Sequence, residues 1–285
     1  MNWYPAPAKL NLFLHVLGRR PDGYHLLQTV FRLIDRSDQV GIIVRNDGVI
    51  GRVDSTLGVD AESDLCVRAA RALREFAIKT AGLAHAELGA DIGLDKQLPI
   101  GGGLGGGSSD AATVLLVLNR LWGLNRTRAE LMGVGVALGA DVPAFVFGAN
   151  ALGEGIGERL LPLSLPTAWY VVLTPQVSVS TKEIFSSGAL TQDTKRLKIP
   201  PFLPGLGKND LQPVATALYP EISAHLNWLS QHGDARMTGS GACVFAEFGS
   251  QAEARAVEAR LPDTMRGFVA RGLDEHPLRD WVVDA

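Results

Sequence analysis

Pro99-Ile100-Gly101-Gly102-Gly103-Leu104-Gly105-Gly106-Gly107-Ser108-Ser109-Asp110-Ala111 is the stretch that decides how this chain folds. Six of the seven positions from Gly101 to Gly107 are glycine, which costs conformational entropy on folding, so a plain loop would not need so many. Ahead of the loop, Ala86 to Leu94 reads as a strand. Behind it, Ala111, Leu115, Leu118 and Trp122 carry a helical period, with Ser108 or Ser109 placed to cap the helix. A glycine turn between a strand and a helix start can aim successive N–H groups, and the helix's partial positive charge, at one point. That arrangement suits phosphate oxygens.

Three familiar phosphate sites are excluded. A Walker A loop ends in Gly-Lys-Ser/Thr, whereas Gly107 is followed by Ser108. Gly101, Gly103 and Gly106 fit G-x-G-x-x-G, but no acid stands in residues 121–126, where a dinucleotide site would want one. The His-Arg-Asp and Asp-Phe-Gly segments of protein kinases do not occur.

Outward from the loop, strands are expected over Leu10–Leu17, Leu27–Ile34 and Val40–Val44, and a helix from Ser63 with Leu65, Ala69, Ala72, Leu73 and Phe76 on one face. A helix over Arg128–Leu138 ends at Gly139, and Ile199–Gly207 reads as a loop. Strands at Trp169–Leu173, Ala242–Phe248 and Gly267–Ala270 alternate with helices at Glu221–Leu229 and Ala252–Leu261. The pattern is α+β, and 285 residues suggest two lobes, residues 1–160 and 161–285.

The composition, 46% hydrophobic and 20% charged, is that of a chain with a sizeable core. A net charge of −3 argues against nucleic-acid or membrane-surface binding, so an anionic ligand must be held by local groups. Cys66 and Cys243 are too few and too far apart in sequence for a disulfide framework or zinc site and read as core thiols. With no targeting segment and no apolar run of the ~20 residues that span a bilayer, the cytoplasm is the expected location.

The loop resembles the second motif of the GHMP kinase superfamily, Pro-x-Gly-Gly-Gly-Leu-Gly-Gly/Ser-x-Ser-Ser, matched from Pro99 to Ser109. Pro7-Ala8-Lys9-Leu10-Asn11-Leu12 is similar to its first motif and Thr238-Gly239-Ser240-Gly241-Ala242-Cys243-Val244-Phe245 to its third. Asp22-Gly23-Tyr24-His25, Leu138-Gly139-Ala140-Asp141-Val142-Pro143 and Gly153-Glu154-Gly155-Ile156-Gly157-Glu158 resemble the branch whose substrate is a cytidine diphosphate alcohol of non-mevalonate isoprenoid biosynthesis. The resemblance implies a two-lobed fold: an N-terminal lobe like the second domain of ribosomal protein S5, a ferredoxin-like C-terminal α/β lobe, and the active site between them.

It also implies ATP-dependent transfer to an alcohol. Asp141 would take the hydroxyl proton, and Lys9 would pair with Asp141 and orient the substrate. ATP would lie on Pro99, Gly101, Gly102, Gly103, Leu104, Gly105, Gly106, Gly107, Ser108 and Ser109, with Asp64, Leu65 and Lys96 flanking the adenine and ribose. Asp64 stands where the superfamily pattern has Asn, and an ionised carboxylate can only accept hydrogen bonds. Tyr24 and Phe185 would sandwich the cytosine, His25 would read its edge, Asn11 would hold the sugar-alcohol side, and Phe31 and Gly239 would wall the pocket. Mg²⁺ is expected with the ATP, Ser109 or a neighbouring hydroxyl being a possible ligand. A monomer or weak homodimer is expected. The rival expectations are a GHMP kinase for homoserine, mevalonate or a sugar, and a non-catalytic nucleotide- or RNA-binding protein.

Overall fold

Two long antiparallel strands, β1 (Asn2–Arg19) and β2 (His25–Arg45), carry the first lobe. The structure is a computed structural model that describes residues 1–53, 63–82, 88–199 and 205–284. The expected segments Leu27–Ile34 and Val40–Val44 are one strand. The polar run between them, exposed at Asp35 and Arg36, reads as a break in sequence, yet the ladder continues through it with Ser37 opposite Pro7. β1 buries both sets of its alternating side chains. It runs through three packed clusters: Tyr4 and Ala6 face the helices, Ala8 to Phe13 the second lobe's sheet, and Leu14 and Val16 that lobe's helices.

β2 divides its neighbours along its length. Residues 27–31 pair with β5 (Ala151–Gly155), and residues 39–45 with β4 (Gly89–Asp95). β3 (Ile50–Arg52) runs parallel to β4, and β6 (Arg159–Pro162) closes the sheet beside β5. Helices α1 (Leu65–Ala81), α2 (Gly106–Leu121), α3 (Arg128–Val136) and α4 (Val142–Phe147) belong to this lobe. α2 is buried on all sides from Ser109 to Asn119, as befits its central place.

The serine cap expected for α2 is not formed. The chain enters the helix from Gly105 at φ +73°, no side chain caps it, and Ser108 and Ser109 lie within its first turn. A left-handed glycine brings the chain onto the helix axis directly, so no residue is left in the extended conformation that a serine cap needs.

In the second lobe, β7 (Trp169–Leu173), β8 (Arg236–Met237), β9 (Val244–Phe248) and β10 (Gly267–Arg271) form an antiparallel sheet in the order β10-β7-β9-β8. With α5 (Thr181–Ser186), α6 (Gln212–Leu218) and α7 (Pro220–Leu229) after β7 and α8 (Gln251–Glu258) after β9, this is the β-α-β-β-α-β arrangement of a ferredoxin-like lobe. Residues 86–87 of one expected strand and 200–204 of the expected loop lie outside the described residues.

A division at residue 160 needs one amendment. After β10 the chain returns to the first lobe: Leu278 and Val282 join its helical core, and the Trp281 ring meets Tyr4 edge-on at 5.3 Å. Buried Arg128 holds this tail by donating to the carbonyls of Arg279 and Val282, both at 2.9 Å, and by pairing with Asp284. No helix among the described residues is long and apolar enough to cross a membrane.

Candidate active site

A cavity of about 1010 Å³ lies where the lobes meet, lined by the glycine loop, the start of α1, the His25 end of β2, α5 and the turn at 239–241. The loop's geometry explains most of its glycines. Gly101, Gly103 and Gly105 have φ of +72°, +76° and +73°. A Cβ on Gly103 would lie 2.2 Å from the Thr238 carbonyl oxygen, so the loop and the third motif's turn abut backbone to backbone. Cys243 N–H donates to the Gly102 carbonyl at 3.0 Å and Lys9 N–H to that of Leu104 at 3.0 Å, which ties the loop to both lobes.

The first turn of α2 has the geometry of an anion cradle. Ser109 N–H is bonded to the Gly105 carbonyl at 2.9 Å. The preceding N–H groups, of Gly106, Gly107 and Ser108, have no helical acceptor and stand at the positive end of the helix. All three residues line the cavity. Ser109 corrects the sequence expectation. It is fully buried, its hydroxyl donates to the Pro7 carbonyl at 2.7 Å, and it is not on the cavity wall, so neither its N–H nor its hydroxyl is open to phosphate or metal.

Lys9 and Asp141 meet at 3.3 Å. The lysine is 3% exposed, and its ammonium also donates to the Asn11 side-chain oxygen and to the Gly103 carbonyl at 3.1 Å. Asp141 immediately precedes α4 and makes no capping bond with its side chain, so its carboxylate stays available to the cavity. Asn11 is fixed from two sides: its amide donates to Thr29 Oγ1 at 2.9 Å, and its backbone N–H donates to Thr238 Oγ1 at 2.9 Å. The Phe31 ring lies below this group, 5.8 Å from the Lys9 ammonium.

At the other end, the buried His25 imidazole lies 5.1 Å from the Phe185 ring, and exposed Tyr24 lines the same wall. Burial, and next the charge of Arg19, push the His25 pKa below its ordinary value. A neutral imidazole offers one donor and one acceptor. His25 Nε2 is buried without a hydrogen-bond partner among the described residues.

On the nucleotide side, Asp64 and Leu65 line the cavity, but the Asp64 carboxylate is engaged. It caps α1 by accepting from Cys66 and Val67 N–H and pairs with Arg52 at 2.7 Å. Lys96 is held beneath Gly106 by buried Asp38 and by Asp110 at 3.0 Å. Burial opposes the Lys96 charge, but the two carboxylates outweigh it and raise its pKa. Burial and the nearness of Asp38 push Asp110 upward against the pull of Lys96. Sequence reasoning missed Asp38, Asp110, Thr29 and the role of Thr238. Of these, Thr238 and Asp110 stand inside quoted segments; Asp38 and Thr29 carried no local signal.

Among the described residues no group of three or more His, Cys, Asp or Glu side chains could hold a metal ion.

Models for the N-terminal domain of GHMP kinases and for the C-terminal part of GHMP kinases match residues 64–149 and 198–267. A 4-diphosphocytidyl-2-C-methyl-D-erythritol kinase of Thiobacillus denitrificans is 60% identical over 98% of each chain. One of Nitrosospira multiformis is 58% identical over 98% of this chain and 93% of its own. A crystal structure of 4-(cytidine 5'-diphospho)-2C-methyl-D-erythritol kinase superposes with a TM-score of 0.79 at 31% identity, covering 95% of this chain and 99% of that one. A crystal structure of mevalonate kinase, 13% identical with a TM-score of 0.66 over 96% of this chain and all of its own, shares the fold.

Proposed function

Because the chain belongs to the GHMP kinases and, within them, to the 4-diphosphocytidyl-2-C-methyl-D-erythritol kinase family, we infer that it moves the γ-phosphoryl group of ATP to the 2-hydroxyl of that cytidyl alcohol. The products are the 2-phosphate and ADP, and the step belongs to non-mevalonate isoprenoid biosynthesis. The observation that carries the reading is the Lys9–Asp141 pair, set between the phosphate cradle and the His25–Phe185 wall.

The chemistry asked of these residues is positioning and charge control. The N–H groups of Gly106, Gly107 and Ser108 and the α2 dipole hold phosphate oxygens. Asn11 and Lys9 fix the alcohol. Its oxygen attacks the γ-phosphorus, the bond from that phosphorus to the β,γ-bridging oxygen breaks, and ADP leaves. Asp141 accepts the hydroxyl proton. Mg²⁺ comes as part of the MgATP substrate, where it offsets phosphate charge. Leu65 and the backbone beside Asp64 flank the adenine, since the Asp64 side chain is engaged. Tyr24 and Phe185 take the faces of the cytosine, and His25 its polar edge. All these groups come from one chain, so the reading needs no second copy.

The direct test is release of ADP by the purified protein with ATP, Mg²⁺ and each of a panel of alcohols. Turnover is expected with the cytidyl alcohol and not with homoserine, mevalonate or galactose; no ADP above background with the cytidyl alcohol would end this reading. Tyr24→Ala should raise KM for the cytidyl substrate by about ten-fold, since stacking a base on an aromatic ring contributes about 1–3 kcal/mol. An unchanged KM would remove Tyr24 from the site.

A further inference from the structure

The protein carries a net charge of −3, so its overall field repels a nucleoside diphosphate, and attraction must come from cations at the site. Among the described residues four cationic side chains line the cavity: Lys9, Arg19, Lys96 and Lys182. Two are already neutralised, Lys9 by Asp141 and Lys96 by Asp38 and Asp110. The other two have no acidic partner among the described residues, and the acids nearest them in sequence are occupied. Asp22 pairs with Arg20 at 2.7 Å, and Glu183 accepts from the Tyr219 hydroxyl at 2.7 Å.

These two cations come from opposite lobes, each beside one member of the His25–Phe185 ring pair. Arg19 is the ladder partner of His25, and its Nε–H is anchored on the Gly23 carbonyl at 3.2 Å. Lys182 precedes Phe185 by three residues on α5, on the same side of the helix. The His25 and Phe185 rings are in contact, so a positive charge stands beside each half of the cytosine wall. Next to Lys182, the Thr181 and Ser240 hydroxyls are hydrogen-bonded at 2.8 Å on the same cavity wall.

We propose that Arg19 and Lys182 form a two-sided clamp for the diphosphate bridge of the substrate, one cation from each lobe, so that the site selects a cytidine diphosphate over cytidine itself. The clamp rests on the cytidyl reading above and adds the residues that recognise the anion.

The test measures binding of CDP and of cytidine by calorimetry, to the wild-type protein and to the Arg19→Met/Lys182→Met double variant. Cytidine binding reports on the base pocket, and the ratio of the two affinities reports on the clamp. Wild type should prefer CDP by about ten-fold or more, the scale of charge-assisted hydrogen bonds at an open site. The preference should weaken with added salt. In the double variant it should fall below about three-fold with cytidine affinity retained, and Arg19→Lys/Lys182→Arg should restore it. Both residues are exposed, so an unchanged thermal midpoint and ATP affinity should accompany the loss. A CDP preference that survives in the double variant overturns the clamp while leaving the base pocket intact. Failure of wild type to bind cytidine and CDP alike overturns the cytidyl reading and the clamp with it.

Discussion

Asp141→Asn should lower kcat by about 10²-fold or more, the scale of a lost general base, while ATP still binds. Asn keeps the shape and a hydrogen-bond acceptor for Lys9 but cannot accept the proton of the attacking hydroxyl. The exchange also changes the setting of Lys9. At 3% exposure its ammonium now faces the Asp141 carboxylate at 3.3 Å; in the variant every acceptor around it would be neutral, the Asn11 oxygen and the Gly103 carbonyl among them. A buried cation without its counter-ion is destabilising, so a modest fall in thermal midpoint should accompany the loss of rate. Single-turnover measurement with saturating MgATP separates the chemical step from binding. Turnover within about three-fold of wild type, against the 10²-fold scale of a lost base, would assign the proton to another group.

Gly103→Ala should be strongly damaging for a single added methyl. At φ +76° an alanine is held in a conformation that costs about 1–2 kcal/mol. Its Cβ would also lie 2.2 Å from the Thr238 carbonyl oxygen and 3.0 Å from that of Gly241. Both obstacles are backbone, so no side chain can swing away. The loop and the turn must part, which strains the Lys9 and Thr238 bonds to the Gly103 carbonyl. A loss on the order of 3 kcal/mol is expected, and a drop in thermal midpoint of about 2–4 °C for each kcal/mol. ATP affinity should fall as well. Gly107→Ala is the control: its Cβ would touch only Leu65 Cδ1, at 3.4 Å, and it lies in a helical turn, so the midpoint should hold. Equal midpoints for wild type and Gly103→Ala would show that the two turns are not locked together.

What the sequence disclosed was what local chemistry writes into it. Glycine is costly unless a backbone position demands it, so the loop was legible, and so were α1 and α2 from their apolar period. The start of α2 was misread because two serines before an apolar run look like a cap, whereas the left-handed turn at Gly105 depends on the strand and turn packed around it. α5, which carries Phe185 and Lys182, is six residues long and shows no period. Asp38 sits in a polar run that reads as a surface break, but it is fully buried and accepts from the Gln97 and Leu98 N–H groups. Its partner Lys96 lies 58 residues away. The return of residues 272–284 to the first lobe was also hidden, because tail and lobe are joined by Arg128, whose partners are mostly backbone carbonyls.

The seam between Gly103 and Thr238 also bears on how the protein is born. The two residues are 135 positions apart. A chain leaving the ribosome exposes its nucleotide loop long before the turn that backs it exists, and β1 must wait longer still, 227 positions, for Thr238 to fix Asn11. Until β9 and β10 follow, the apolar face that β1 shares with β7, β9 and β10 is only partly covered. A nascent chain stalled before residue 238 should therefore be prone to chaperone capture and unable to retain nucleotide. Competence arrives late and in one step, with the last third of translation.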